Sequence, residues 1–320
     1  MPLPTRAVLV TGASSGIGRA TVKSLVESGR HVFAGVRSEA AAAELQAALG
    51  DALTPLVLDV TCAEQVKAAA ERIEREVPHG LYGVVNNAGL GMPAPLELTD
   101  VDELAQLFDV NALGPLRVIQ AMLPLLRRGG GRIVNITSMN GTTSLPMVGG
   151  YSATKFALEA MSAALRVELR PWGIPVSVIR PGQVRTPIFA KARASIAAAA
   201  RRVPAELAPG YALPLTRTAK FNERGAKSRT APDAVARVVL KALSARWPRA
   251  QYRVGWDALG LAIAQALLPT LLWDRALART IGSLGKRPDV PLPGAPHRER
   301  EPIVQTPRGA AAVEPSLSGP

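Results

Sequence analysis

The sequence is poor in cysteine, histidine and aromatic residues. Its 320 residues include one cysteine, Cys62, so no disulfide closes within the chain and no thiolate metal cluster can be built. The three histidines (His31, His79 and His297) stand far apart and show no metal-ligand spacing. Phe, Trp and Tyr make up 4% of the chain, and no basic run is interleaved with them. With no nucleic-acid motif in sight, a nucleic-acid partner is not expected. The N-terminal stretch lacks the apolar run and cleavage site of a secretion signal, so a cytoplasmic location is expected. Acidic residues are also in deficit: 25 Asp and Glu against 38 Lys and Arg, a formal net charge of +13. Two readings of that excess stay open, a solvated Arg-rich surface or attraction to a phosphorylated cofactor or an anionic membrane.

Apolar residues, by contrast, make up 48% of the chain, enough for a sizeable core. Apolar, β-rich runs at 7–11, 31–36, 54–58, 81–85, 132–137 and 175–179 read as strands, and the continuous apolar character of the first suits a buried parallel strand. Between them, 16–28, 39–49, 63–76, 100–126 and 151–170 read as helices. The alternation predicts an α/β fold, a doubly wound parallel sheet of Rossmann type with helices on both faces. Residues 187–230 are Ala-rich, basic and interrupted by Pro and Gly, too long for an ordinary loop. They read as a helical substrate lid or as surface helices. A further helix at 232–246 and a last strand at 250–254 follow. Residues 257–280 are strongly apolar with Pro269 in their middle, and their uncharged stretch, 258–273, falls short of the roughly 20 residues that span a bilayer. Packing over the mouth of a site or a subunit interface, peripheral membrane contact, and a span are the open readings. The expected organisation is a Rossmann-type domain over 1–256, an apolar helical extension over 257–286 and a disordered tail over 287–320.

The motif TGASSGIG, from Thr11 to Gly18, follows the first strand and opens the first helix. In that context Gly12 permits a tight turn, Gly16 lets backbone approach a pyrophosphate, and Gly18 lets the helix pack on the sheet. The N–H groups of the helix start then face phosphates. The end of the second strand should meet the adenosine ribose. A carboxylate there would bond a free 2′-hydroxyl, but this chain has Gly35, Val36, Arg37 and Ser38. Arg37 offers a planar fork to a 2′-phosphate, and Arg19 adds positive charge nearby. NADP(H) is therefore expected, with NAD(H) left open; the plainer reading of Arg37 is an exposed loop arginine. Asp59, after the third strand, accepts a hydrogen bond from adenine or caps the helix that begins near Thr61.

Asn86, Asn87, Ala88 and Gly89 follow the fourth strand, Asn111 lies in the next helix, and Ser138 follows the fifth strand. Tyr151 and Lys155 sit at i and i+4, on one face of a helix. A free phenol has a pKa of about 10 and is a poor base at neutral pH. A neighbouring ammonium is expected to lower it, so that Tyr151 trades a proton with a substrate oxygen that Ser138 orients.

In this order the motifs resemble the short-chain dehydrogenase/reductase family, in its compact single-domain subgroup, from about residue 7 to residue 186. The resemblance implies an NAD(P)-dependent oxidoreductase acting on CH–OH groups, without a metal. It implies cofactor contacts from Thr11, Gly12, Ser14, Ser15, Gly16, Ile17 and Gly18, from Asp59 at adenine, and from Asn87, Ala88 and Gly89. Pro181, Gly182, Val184 and Thr186 would line the nicotinamide. Asn86 would steady the central strands. Asn111, Ser138, Tyr151 and Lys155 match the family's catalytic tetrad, in which the Asn holds a water that links the Lys to solvent. Tyr151 and Lys155 also count among the cofactor contacts, Lys155 through the ribose hydroxyls. VFAG at 32–35, NNAGLG at 86–91 and the apolar extension resemble the retinol, hydroxysteroid and 3-hydroxybutyrate dehydrogenase branch. That branch implies a lipophilic alcohol or ketone, in a pocket drawn from Met139, Asn140, Leu145, Met147, Gln183 and residues 187–230. Some of its members associate with membranes, which fits 257–280. A homodimer or homotetramer through helices 100–126 and 151–170 is also implied. Three alternatives stay open: an epimerase or dehydratase on the same fold, a non-catalytic NADP(H) sensor, and a lipid-surface module.

Overall fold

Central strands with no polar face can rest only where helices cover both sides. In the computed structural model, which describes residues 6–283, they do so in one parallel sheet of order β3-β2-β1-β4-β5-β6-β7. The strands are β1 (Val8–Val10), β2 (Val32–Val36), β3 (Leu53–Val57), β4 (Gly83–Asn86), β5 (Arg132–Ile136), β6 (Val176–Pro181) and β7 (Gln251–Val254). Register is fixed at the centre by Val10 opposite Ala34 on one side and Val85 on the other. The helices are α1 (Gly16–Glu27), α2 (Glu39–Leu49), α3 (Ala63–Glu76), α4 (Val101–Phe108), α5 (Gly114–Arg128), α6 (Gly149–Glu168), α7 (Ile188–Arg202), α8 (Ala208–Ala226), α9 (Pro232–Ser244), α10 (Trp256–Leu267) and α11 (Thr270–Ile281).

Alternate residues of each strand feed two cores. Leu9, Phe33, Val84 and Ile133 pack with Ile73 of α3 and Ile119 and Met122 of α5. Val8, Val10, Val85 and Val134 point the other way, onto Val22 and Leu25 of α1 and Val235 and Val239 of α9. Each such side chain, fully buried, contributes about 1.5–3 kcal/mol.

The helix expected over 100–126 is interrupted. α4 passes through a π turn, Asp109–Leu113, before α5 begins, and the Gly114 N–H reaches back to the Asp109 carbonyl. Pro115 follows with no N–H to donate, so the regular ladder cannot continue through this point. The turn carries Asn111. The apolar stretch over 257–280 is likewise two helices, α10 and α11, with Pro269 as the N-cap of the second. Among the described residues no helix is long and apolar enough to cross a membrane. The outer faces of α10 and α11 leave Trp256, Leu267 and Leu271 largely exposed. The tail expected over 287–320 lies outside the described residues.

Candidate active site

The strand order reverses between β1 and β4, and this opens a crevice at the carboxyl ends of the strands. The loop from β1 into α1 lies there. Gly12 and Gly16 have φ of +65° and +55°, a left-handed region that suits glycine. At Gly18 the constraint is space, since a Cβ would stand 2.1 Å from the Gly12 carbonyl oxygen. Thr11 supports the loop from beneath. Its hydroxyl accepts from the N–H groups of Asn87 and Ala88 at 3.0 and 3.1 Å. The Asn87 side-chain amide donates to the carbonyls of Thr11 and Gly12, both at 3.0 Å. The first turn of α1 holds no acidic residue, and Ser15 at its N-cap makes no side-chain capping bond. The positive end of that helix is therefore left for an anion.

A cleft of about 720 Å³ runs from this loop along the strand ends. Ser14, Gly16 and Ile17 line it, as do Asn87 to Gly89 and Pro181, Gly182, Val184 and Thr186. Thr11 and Gly18 shape it from below. Arg37 and Asp59 stand together at one end. Burial opposes the Asp59 charge, but the Thr61 N–H and hydroxyl at 2.9 and 2.7 Å, with Arg37 and Arg117 nearby, hold its carboxyl below the usual range. Asp59 does not cap a helix, because α3 has Cys62 at its N-cap. Arg19 does not join Arg37: its guanidinium turns to Glu44 at 2.7 Å, on α2.

At the other end Ser138, Tyr151 and Lys155 line the same cleft. Ser138 caps the short 3-10 turn Met139–Gly141, its hydroxyl accepting from the Asn140 N–H at 3.1 Å. Lys155 is 4% exposed and donates to the Ile136 carbonyl at 3.1 Å. Asn111 is fully buried behind them. It accepts from the Leu90 N–H and donates to the Leu90 carbonyl and the Thr154 hydroxyl. Those contacts fix the loop after β4 against α6. Asn86 bonds Asn135 across the strands, and Asn135 bonds Ser162 of α6.

The electrostatics differ from the expectation drawn from the Tyr–Lys spacing. Burial pushes the Tyr151 phenol above its ordinary value, and the neighbouring Ser138 hydroxyl only partly offsets it. The Lys155 nitrogen lies 5.9 Å from the Tyr151 ring centroid. Burial pushes that ammonium down to about 8, against the upward pull of Glu159. Desolvation opposes both charged forms at once, so the protein's own groups keep the phenol protonated.

Helices α7 and α8 lie over the cleft with Ile188, Phe189, Ile196 and Phe221 on its wall. They are tied to the opposite rim by an Arg202–Glu103 ion pair and a bond from the Tyr211 hydroxyl to Glu97. Met139, Asn140 and Gln183 line the cleft as expected. Leu145 and Met147 do not; Met147 is buried with φ +67°. Instead Leu90, Met92, Leu107 and Val110 complete the apolar wall. Met92 lies in the Pro-broken stretch GMPAP at 91–95, and Leu90 just before it.

Residues 6–197 match a family model described as short chain dehydrogenase. Retinol dehydrogenase 5 of Homo sapiens is 36% identical over 284 residues, covering 87% of this chain and 89% of that protein. Estradiol 17-beta-dehydrogenase 2 of Mus musculus is 36% identical over 291 residues, covering 87% and 76%. Among solved structures, a short-chain dehydrogenase from Streptomyces avermitilis superposes with a TM-score of 0.69 at 29% identity, covering 86% of this chain and 94% of that one. A short chain dehydrogenase from Burkholderia cenocepacia J2315, in complex with NADP, gives 0.65 at 28% identity, covering 86% and 98%.

Proposed function

The chain belongs to the short-chain dehydrogenase/reductase family of oxidoreductases, in its retinol and hydroxysteroid branch, and from that membership we propose that it interconverts a lipophilic alcohol and its carbonyl compound with NADP(H), using Tyr151 as the proton donor and acceptor. The observation that carries the reading is one cleft shared by the Gly-rich loop at one end and Ser138, Tyr151 and Lys155 at the other. A nicotinamide cofactor, when bound, supplies the hydride chemistry. Gly12, Gly16 and the α1 N-terminus suit its phosphates, Lys155 its ribose, and the segment from Pro181 to Thr186 its nicotinamide.

In carbonyl reduction the Tyr151 hydroxyl donates its proton to the substrate oxygen, which the Ser138 hydroxyl also holds. In alcohol oxidation the same phenol must first lose its proton. Burial holds the phenol in the protonated form from which reduction starts, whereas oxidation needs its deprotonation and so gains as pH rises. Lys155, as an ammonium, stabilises the charge that forms on the phenol after donation; with its value near 8 this support fades above neutrality. Support for a lipophilic substrate comes from the wall built by Leu90, Met92, Leu107, Ile188, Phe189 and Phe221. The retinol and estradiol dehydrogenases to which the chain is similar carry such substrates in their names.

The test is loss of NADPH absorbance with all-trans-retinal, estrone and decanal as carbonyl probes. Turnover of at least one is expected. Tight NADPH binding with none turned over would favour a sensor instead.

NADP(H) is proposed over NAD(H) because Arg37 lines the adenosine end while no carboxylate stands among residues 35–38. Arg37→Asp should move the NADPH/NADH ratio of kcat/KM toward NADH by about tenfold or more, since a like charge then faces the phosphate. An unchanged ratio removes Arg37 from that role.

A further inference from the structure

Arg180 is a charged residue in a strand that is buried throughout, β6 reading VSVIRP. Its guanidinium clasps Glu159 of α6 with two parallel bonds, Nε to Oε1 and Nη2 to Oε2, both 2.8 Å. The two side chains are 7% and 12% exposed. Nη1 reaches Gln251 of β7 at 2.9 Å. The Thr137 hydroxyl stands 2.7 Å from Glu159 Oε1 and 3.0 Å from the Ile179 carbonyl, and its one proton serves one of them. A Cβ on Gly141 would stand 3.1 Å from Glu159 Cγ and 3.2 Å from the Lys155 carbonyl oxygen. The turn after Ser138 therefore lies directly on the Lys155–Glu159 segment of α6.

Stability alone does not call for such a pair, because well-packed apolar residues often serve as well. Its position is more informative. Glu159 follows Lys155 by four residues, on the face of α6 that carries Tyr151. Thr137 immediately precedes Ser138, and Arg180 immediately precedes the Pro181–Gly182 turn. Resting on the Tyr151 reading above, we propose that Glu159 and Arg180 are a positioning pair that holds the Lys155 ammonium and Ser138 in register with the Tyr151 phenol.

Around Lys155, α6 contributes Tyr151 and Glu159, β6 contributes Arg180, the π turn contributes Asn111, and the loop after β5 contributes Thr137 and Ser138. Among these Glu159 and Arg180 carry charge. Glu159 is the group that opposes the burial of Lys155. Without its charge, Lys155 loses its proton at lower pH.

The test compares Glu159→Gln, the double variant Glu159→Met with Arg180→Met, and Tyr151→Phe, using the probe of the carbonyl panel with the fastest turnover. Melting temperature and NADPH affinity are read beside the pH profile of kcat. For Glu159→Gln the alkaline limb of reduction should move down by about one pH unit. Its kcat near pH 8 should fall about fivefold, while KM and the NADPH Kd stay within about threefold. The double variant leaves no buried charge unpaired. It should melt near the wild type, which keeps the test open if Glu159→Gln does not fold. Because it removes a positive charge together with the negative one, its limb should move less than that of Glu159→Gln, while the lost alignment lowers kcat across the profile. A folded variant with the wild-type profile overturns the proposal, as does a loss confined to melting temperature. Tyr151→Phe separates the two levels: if it retains turnover, or if no probe is turned over at all, the underlying reading fails. An inactive Tyr151→Phe beside a double variant with the wild-type profile removes the pair alone.

Discussion

Tyr151→Phe should lower kcat by a factor on the order of 10³ while leaving NADPH affinity and the fold nearly unchanged. The substitution removes one oxygen and keeps the ring, so the wall of the cleft persists. Ser138 loses a neighbour, a change worth about 1 kcal/mol at most. Neither Lys155 nor Asn111 is placed to take over. Lys155 is buried and donates to the Ile136 carbonyl, and Asn111 has spent its amide on Leu90 and Thr154. Steady-state kinetics with NADPH titration by fluorescence checks the expectation. Substantial residual turnover would move the proton-transfer role to another residue.

Gly18→Ala should have the second large effect, acting through the backbone. The added methyl would meet the Gly12 carbonyl oxygen at 2.1 Å and the Asn87 amide nitrogen at 2.5 Å. Those are the atoms that tie the loop to the segment after β4, so the loop has to open. Forcing a methyl into such a contact costs about 1–3 kcal/mol or more. NADPH affinity should fall at least tenfold, and the melting temperature should drop. Gly260→Ala is the control. Gly260 lies in α10 with nothing near its Cβ position, and there alanine should be neutral or stabilising by about 0.5–1 kcal/mol. Equal effects of the two substitutions would contradict the steric account.

The strands, the Gly-rich loop and the line of Ser138, Tyr151 and Lys155 were legible because their signals are local. Runs of valine and leucine mark buried strands, a strand–glycine–helix junction marks the crevice, and a spacing of four residues puts two side chains on one helical face. What the sequence hid depends on pairs distant along the chain. Nothing near Arg19 says that it turns to Glu44, 25 residues on, instead of toward the crevice. Arg180 falls outside the strand read over 175–179, and its partner Glu159 lies on another element. The π turn follows from Pro115, yet proline early in a helix is ordinary, and only its junction with α4 reveals the wider turn. The acidity of Tyr151 depends on distant groups in the same way. Spacing counts the neighbouring ammonium, whereas desolvation, the larger effect here, exists only once the folded chain surrounds the group.

The start of α10 bears on how the polypeptide can be trimmed. Asp257 accepts from the Gln183 N–H, and Gly182 has no room for a Cβ because the same carboxylate fills that space. Eight residues further along the chain, Gln265 takes the Thr143 hydroxyl of the loop that follows Ser138. This greasy appendage is thus a clasp on the loop after β6 and on the loop after β5. A shortened version ending at the last strand would discard the fastening along with the grease, so solubility is better sought by recolouring the outward side chains Trp256, Leu267 and Leu271 than by deletion.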